Sequence, residues 1–87
     1  MTKLVASAFI ANGSLLVYLD NQLIMQNSDA VTVDLEPGHE YIIHWFVKGD
    51  VGQTFSITIS APKEAQFQLT RAIPKAKKDL GTFRFSC

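Results

Sequence analysis

The sequence predicts an all-β protein, an antiparallel two-sheet sandwich of seven or eight strands with immunoglobulin-like or transthyretin-like topology. Short segments in which apolar and polar residues alternate recur along the chain, as expected for strands with one buried and one exposed face. Turn-forming pairs, such as Asp20-Asn21 and Pro37-Gly38, separate these segments. No window keeps apolar residues at helical spacing for long. Several short strands at this spacing favour a sandwich.

Eight strands are predicted, and we place all of them in a single domain over 1–87. In chain order they are 3–11, 14–20, 22–27, 30–35, 40–48, 53–60, 65–71 and 80–86. The first segment resembles a signal peptide only faintly, because its apolar stretch is short and interrupted, and we interpret it as a strand. Residues 61–66 contain a proline that can open one helical turn.

The turns and the alternation predict where the chain reverses and which side chains are buried. Asp20-Asn21 suits a tight hairpin, and Pro37-Gly38 suits a type II turn with Gly38 at positive φ. The apolar residues at alternate positions of a strand point to one face, and these residues predict the core. These are Val17, Leu19, Val33, Leu35, Ile43, Trp45, Phe55, Ile57, Phe67 and Phe83.

Composition argues against several classes of partner. Eight basic and eight acidic residues cancel, so no net charge is available to attract nucleic acid or an anionic membrane. No apolar run approaches the roughly 20 residues that span a bilayer. The one cysteine, Cys87, cannot form a disulfide within the chain, and we expect an exposed thiol without a role. An intermolecular disulfide or a reactive thiol is the alternative.

No pattern in the sequence indicates catalysis, a cofactor or a metal. The serines lack a nucleophile-elbow setting, and neither a phosphate loop nor a dinucleotide fingerprint occurs. His39 and His44 are five residues apart, which in a regular strand places them on opposite faces, so they cannot chelate one metal. We expect His39 to be solvated or to bond the turn backbone. The sequence therefore predicts neither an enzyme nor a metal site.

Strand 40–48 is the exception to the alternation, because both of its faces are apolar or aromatic. Ile42, His44 and Phe46 form the second face, and Tyr18 raises the same question in its own strand. One interpretation is a central strand whose outer face is partly covered by a loop or a terminus. The other is an exposed interaction surface, formed by Tyr18, Ile42, His44 and Phe46, for a ligand or a second subunit.

Residues 13–60 resemble a PEGA-type domain, a small β-sandwich module common on bacterial surface proteins. The matching positions are Gly13, Leu15, Val17, Asp20, Leu35, Pro37, Gly38, Tyr41 and Ile43. Asn21 stands where the family usually has glycine, and Gln26-Asn27-Ser28-Asp29 replaces the usual Gly-x-x-Pro. The resemblance implies a non-catalytic module without a family active site, and leaves an extracytoplasmic location open.

These observations predict a non-enzymatic binding or protein-interaction module. The alternative is a structural assembly subunit, a homodimer or an array built through sheet faces or edges. A small enzyme ranks third. The predicted partner is a protein or a second copy of the chain, with no nucleic acid and no membrane insertion. A carbohydrate ligand has no specific support in the sequence.

Overall fold

A computed structural model describes residues 2–86, apart from the side chain of Glu64. The strands are β1 (Thr2–Ile10), β2 (Ser14–Leu19), β3 (Gln22–Gln26), β4 (Asp29–Leu35), β5 (Glu40–Lys48), β6 (Thr54–Ala61), β7 (Phe67–Ala72) and β8 (Lys78–Ser86). The predicted helical turn is confirmed as a single 3-10 turn, Lys63–Ala65, which follows Pro62. Every predicted strand is confirmed, with bounds that shift by two residues at most. The prediction about Cys87 lies outside the described residues.

The eight strands form two four-stranded sheets, which confirms the predicted sandwich. One sheet has the order β4-β1-β6-β7 and the other has β3-β2-β5-β8, with antiparallel pairing throughout. The first two strands lie in different sheets, whereas the immunoglobulin constant-type order keeps them in one. None of the helical structure within residues 2–86 has the length and apolar character of a membrane span.

The core lies between the two sheets because the alternate, apolar residues of each strand point inward. In β5 the four inward residues Tyr41, Ile43, Trp45 and Val47 are buried, and the residues between them are not. Seven of the ten predicted core residues are buried. The other three, Val33, Phe67 and Phe83, pack against the core but are only partly buried, because they lie on the edge strands β4, β7 and β8.

Aromatic rings close the side of the sandwich where β7 and β8 lie. The ring of Phe67 lies between Trp45 and Phe83, with centroid distances of 5.9 and 4.7 Å. Gly81, in the middle of β8, leaves room for the Trp45 indole: a Cβ there would be 2.0 Å from Trp45 Cζ2. The edge strand β8 can therefore pack closely on β5 because residue 81 has no side chain.

Candidate interaction surface

The outer face of the β3-β2-β5-β8 sheet carries the residues that the sequence predicts as an interaction surface. Tyr18, Ile42, His44 and Phe46 all point away from the core and are partly exposed. All eight described strands belong to the two sheets, so none of them lies over these four side chains. The four predicted residues are thus neighbours on one open face.

Two rows of side chains cross the strands of this face. In the first row Leu16 is paired with Phe46, and Phe46 with Leu80. In the second row Tyr18 lies between Leu23 and His44. We call the β5 face the set of seven outward residues Leu16, Tyr18, Leu23, Ile42, His44, Phe46 and Leu80. Leu80 and Leu23 are its most accessible members, with exposed fractions of 62% and 44%.

Charged residues lie at the two ends of the β5 face. Strand β5 begins at Glu40 and ends at Lys48, and Lys48 is paired with Lys78 on β8. At the Glu40 end, Arg84 Nε lies 3.4 Å from Glu40 Oε1, and both side chains are more than 60% exposed. The face therefore has an apolar centre, a basic end at Lys48 and Lys78, and an opposite end where Glu40 forms an exposed ion pair with Arg84.

The turn between β2 and β3 is fixed to β5 by Asp20, which adopts a left-handed backbone conformation with φ of 52°. Its N–H donates to the Ile42 carbonyl at 2.8 Å, and its carboxylate accepts the Ile42 N–H at 3.0 Å. The Asp20 carbonyl accepts a hydrogen bond from His44 Nε2 at 2.8 Å. The Tyr18 ring packs against the His44 ring, with centroids 5.1 Å apart. The centre of the β5 face is thus held in place by contacts within the chain.

His39 is half exposed and bonds the turn backbone through its N–H, as predicted, and its ring makes two further contacts. This residue precedes β5, so strand parity does not separate it from His44, and both imidazoles contact Asp20. The distance from His39 Nε2 to Asp20 Oδ2 is 3.5 Å, and the His39 ring packs on Tyr41 with centroids 4.3 Å apart. His39 is half exposed and fixed between a carboxylate and an aromatic ring, in addition to the backbone bond that its N–H makes with Glu36.

The outer face of the other sheet has a different chemistry. Its central positions carry hydroxyl side chains, including Ser7, Ser56 and Thr58. Phe9 is 54% exposed, but its partner in β6 is Ser56. Apolar residues on that face are therefore separated by hydroxyl groups. On the β5 face Leu16, Phe46 and Leu80 adjoin one another, although Thr82 and Arg84 of β8 flank His44 and Ile42.

A cleft of about 480 Å³ opens at the end of the sandwich that contains the β2–β3 turn. Its apolar lining residues are Leu19, Val33 and Tyr41, and its polar lining residues are Asp20, Asn21, Gln22, Asp34 and Glu36. Asp34 forms an ion pair with Lys3 at 3.0 Å, and Asp20 is engaged as described above. Among the residues that the structure describes, no group of three or more histidine, cysteine or acidic side chains is arranged to hold a metal ion.

Comparison with protein-family models, with curated proteins and with solved structures found no match for this chain. The resemblance to PEGA-type domains therefore stays a prediction.

Sequence reasoning missed Leu23 and Leu80 as members of the β5 face, because the alternation within a strand does not tell which strands lie beside it. Leu80 also stands among lysines next to a glycine, a composition typical of a connection.

Proposed function

We propose that this protein is a non-catalytic protein-interaction module that binds its partner through the β5 face. The observation that carries the proposal is the row of apolar side chains Leu16, Phe46 and Leu80, which crosses three adjacent strands and continues through Tyr18 to Leu23 on the fourth. Single exposed apolar residues are ordinary on protein surfaces, but contiguous apolar patches mark interaction sites. The outer face of the other sheet, where hydroxyl groups separate the apolar residues, shows that this protein does not expose such a patch on every face.

The chemistry of the β5 face favours a protein over a carbohydrate. Aromatic side chains at the centre of a patch, with charges at its edge, are typical of protein–protein interfaces. A sugar requires several polar side chains to bond its hydroxyl groups. On the β5 face His44 Nε2 is already bonded within the chain, and the five aliphatic or phenyl side chains offer no polar atoms. The Tyr18 hydroxyl alone does not supply the several polar groups that a sugar requires.

We further propose that the module is PEGA-like, as its turns suggest. Gly38, at the position where the resemblance places a Pro-Gly turn, has φ of 81°, and the His39 N–H bonds the Glu36 carbonyl at 3.3 Å. Such modules occur on bacterial surface proteins, which is the setting we propose here. The transthyretin-like description remains a proposal about strand order, whereas the placement of β1 and β2 in different sheets departs from the immunoglobulin constant-type order.

Site-specific photo-crosslinking tests the proposed surface. A benzophenone amino acid is introduced at Leu80 on the β5 face, or at Phe9 on the opposite face as a matched control. The two native side chains have similar exposure, 62% and 54%. We expect irradiation of concentrated protein, or of cells that produce it, to give a discrete crosslinked protein product from position 80 and none from position 9.

Equal crosslinking from both positions, or none from position 80, would contradict the proposed function. A product from position 80 supports it whether the captured protein is a second copy or another chain. The mass of the product distinguishes these two outcomes.

A further inference from the structure

We propose that the partner on the β5 face is a second copy of this chain, stacked face to face with its strands antiparallel. The two-fold axis lies between the two sheets, perpendicular to the strands, and passes beside His44. This inference rests on the proposed function, since it names the occupant of the same surface. A dimer built on one patch that contacts itself is the commonest form of oligomer.

The outward residues of β5 are complementary to themselves about His44. They are Glu40, Ile42, His44, Phe46 and Lys48, in order from one end to the other. When a second strand is laid over the first in the opposite direction, Glu40 meets Lys48 of the other copy and Ile42 meets Phe46. Each such pair occurs twice in the dimer, because the two-fold axis repeats it.

The opposite orientation of the second copy is disfavoured by charge. An axis along the strands would place Lys48 over Lys48 and Glu40 over Glu40, and like charges that face each other across an interface are costly. In the antiparallel arrangement β8 brings Lys78 over Ser86 and Leu80 over Arg84, so the flanking strand adds no pair of like charges. Aligned sheet packing, with strands within about 30° of each other, keeps the residues nearest the axis in register, and the long Glu40 and Lys48 side chains reach each other across the sideways shift at the strand ends.

The size of the face sets the expected strength of the dimer. Five outward residues of one strand span about 27 Å, and four strands span about 14 Å in width, which gives roughly 400 Å² per copy in projection. This is about half of the ~800 Å² per partner that a standard stable interface buries. We therefore expect a weak dimer, with a dissociation constant in the micromolar range or above, rather than a permanent one.

Two charge-reversal variants test the arrangement by complementation. In Glu40→Lys both ends of the outward face of β5 are basic, and in Lys48→Glu both are acidic. By sedimentation velocity over a range of concentrations, we expect each variant alone to dimerise at least about tenfold more weakly than the wild type, because each self-pairing now joins like charges. We expect an equimolar mixture of the two to recover association, since every pair between the two chains is again of opposite sign.

The matched controls are Asp34→Lys and Lys75→Glu, which change the charge equally but lie off the β5 face. Each control variant alone, and an equimolar mixture of the two, should associate as strongly as the wild type. Thermal melting of all four variants checks that each one folds.

Three results would overturn the dimer: a wild type that stays monomeric at millimolar concentration, single variants that associate like the wild type, or a mixture that fails to recover association. None of these results would by itself overturn the proposed function. A monomeric protein whose position 80 crosslinks a different protein would keep the interaction surface and exclude the second copy as its occupant.

Discussion

Gly38 shows how backbone conformation, rather than available space, determines the identity of a single residue. Its φ is 81°, and a Cβ built on it would have no atom within 4 Å. An L-residue at positive φ is strained because its Cβ approaches the neighbouring carbonyl oxygen. The turn that positions Tyr41 and the start of β5 thus depends on the conformational freedom of glycine at this position.

We expect Gly38→Ala to lower the free energy of unfolding by about 1 kcal/mol, since the strain exceeds the gain from a less flexible unfolded chain. Urea denaturation measures this loss. Gly38→Asn is the matched control and should lose less, because asparagine tolerates the left-handed region. An alanine variant as stable as the wild type would refute the turn assignment.

At the scale of the element, β8 depends on a different property of glycine. Gly81 is needed for space, because the Trp45 indole occupies the volume where its side chain would lie. Trp45 is buried, so its ring cannot move aside into solvent. The packing of the edge strand β8 on the central strand β5 is therefore sensitive to a single added methyl group.

Gly81→Ala is expected to cost about 1–3 kcal/mol of stability, as overpacked cores do. The same substitution in a Trp45→Phe background should cost clearly less, because the smaller ring leaves room for the methyl group. A double-mutant cycle by thermal or urea unfolding measures the coupling. Equal costs in both backgrounds would mean that the indole does not limit this position.

The elements could be predicted because strand alternation and turn chemistry are local properties of the sequence. The predicted start of β8 is two residues late because Lys78 and Asp79, followed by Gly81, resemble a connection. Pairing between strands is not a local property, so the sequence could not place Leu80 beside Phe46. Likewise, the sequence predicts residues of the β5 face one strand at a time. Only the strand pairing shows that Leu23 and Leu80 lie beside them.

At the scale of the whole molecule, a net charge of zero conceals an uneven distribution. Asp20, Asp34, Glu36 and Glu40 lie near the end of the sandwich that contains the β2–β3 and β4–β5 turns, where Lys3 and Arg84 pair with two of them. Lys48, Lys75, Lys77 and Lys78 lie near the other end, up to 39 Å away along the longest dimension, where Asp50 and Asp79 offset part of their charge. Such a molecule has little like-charge repulsion to keep copies apart, and an antiparallel pair brings its opposite ends together.

The measurement that tests the β5 face most directly is sedimentation of Phe46→Lys, with Phe9→Lys as the control on the opposite face. Phe46 is only partly buried and lies outside the core, so we expect Phe46→Lys to remain folded, with a melting temperature close to that of the wild type. We expect it to lose self-association, because the new charge lies in the centre of the apolar contact, while Phe9→Lys associates like the wild type. A Phe46→Lys variant that unfolds would show that the ring belongs to the core. One that stays folded and associates as strongly as the wild type would show that the β5 face is not the contact surface.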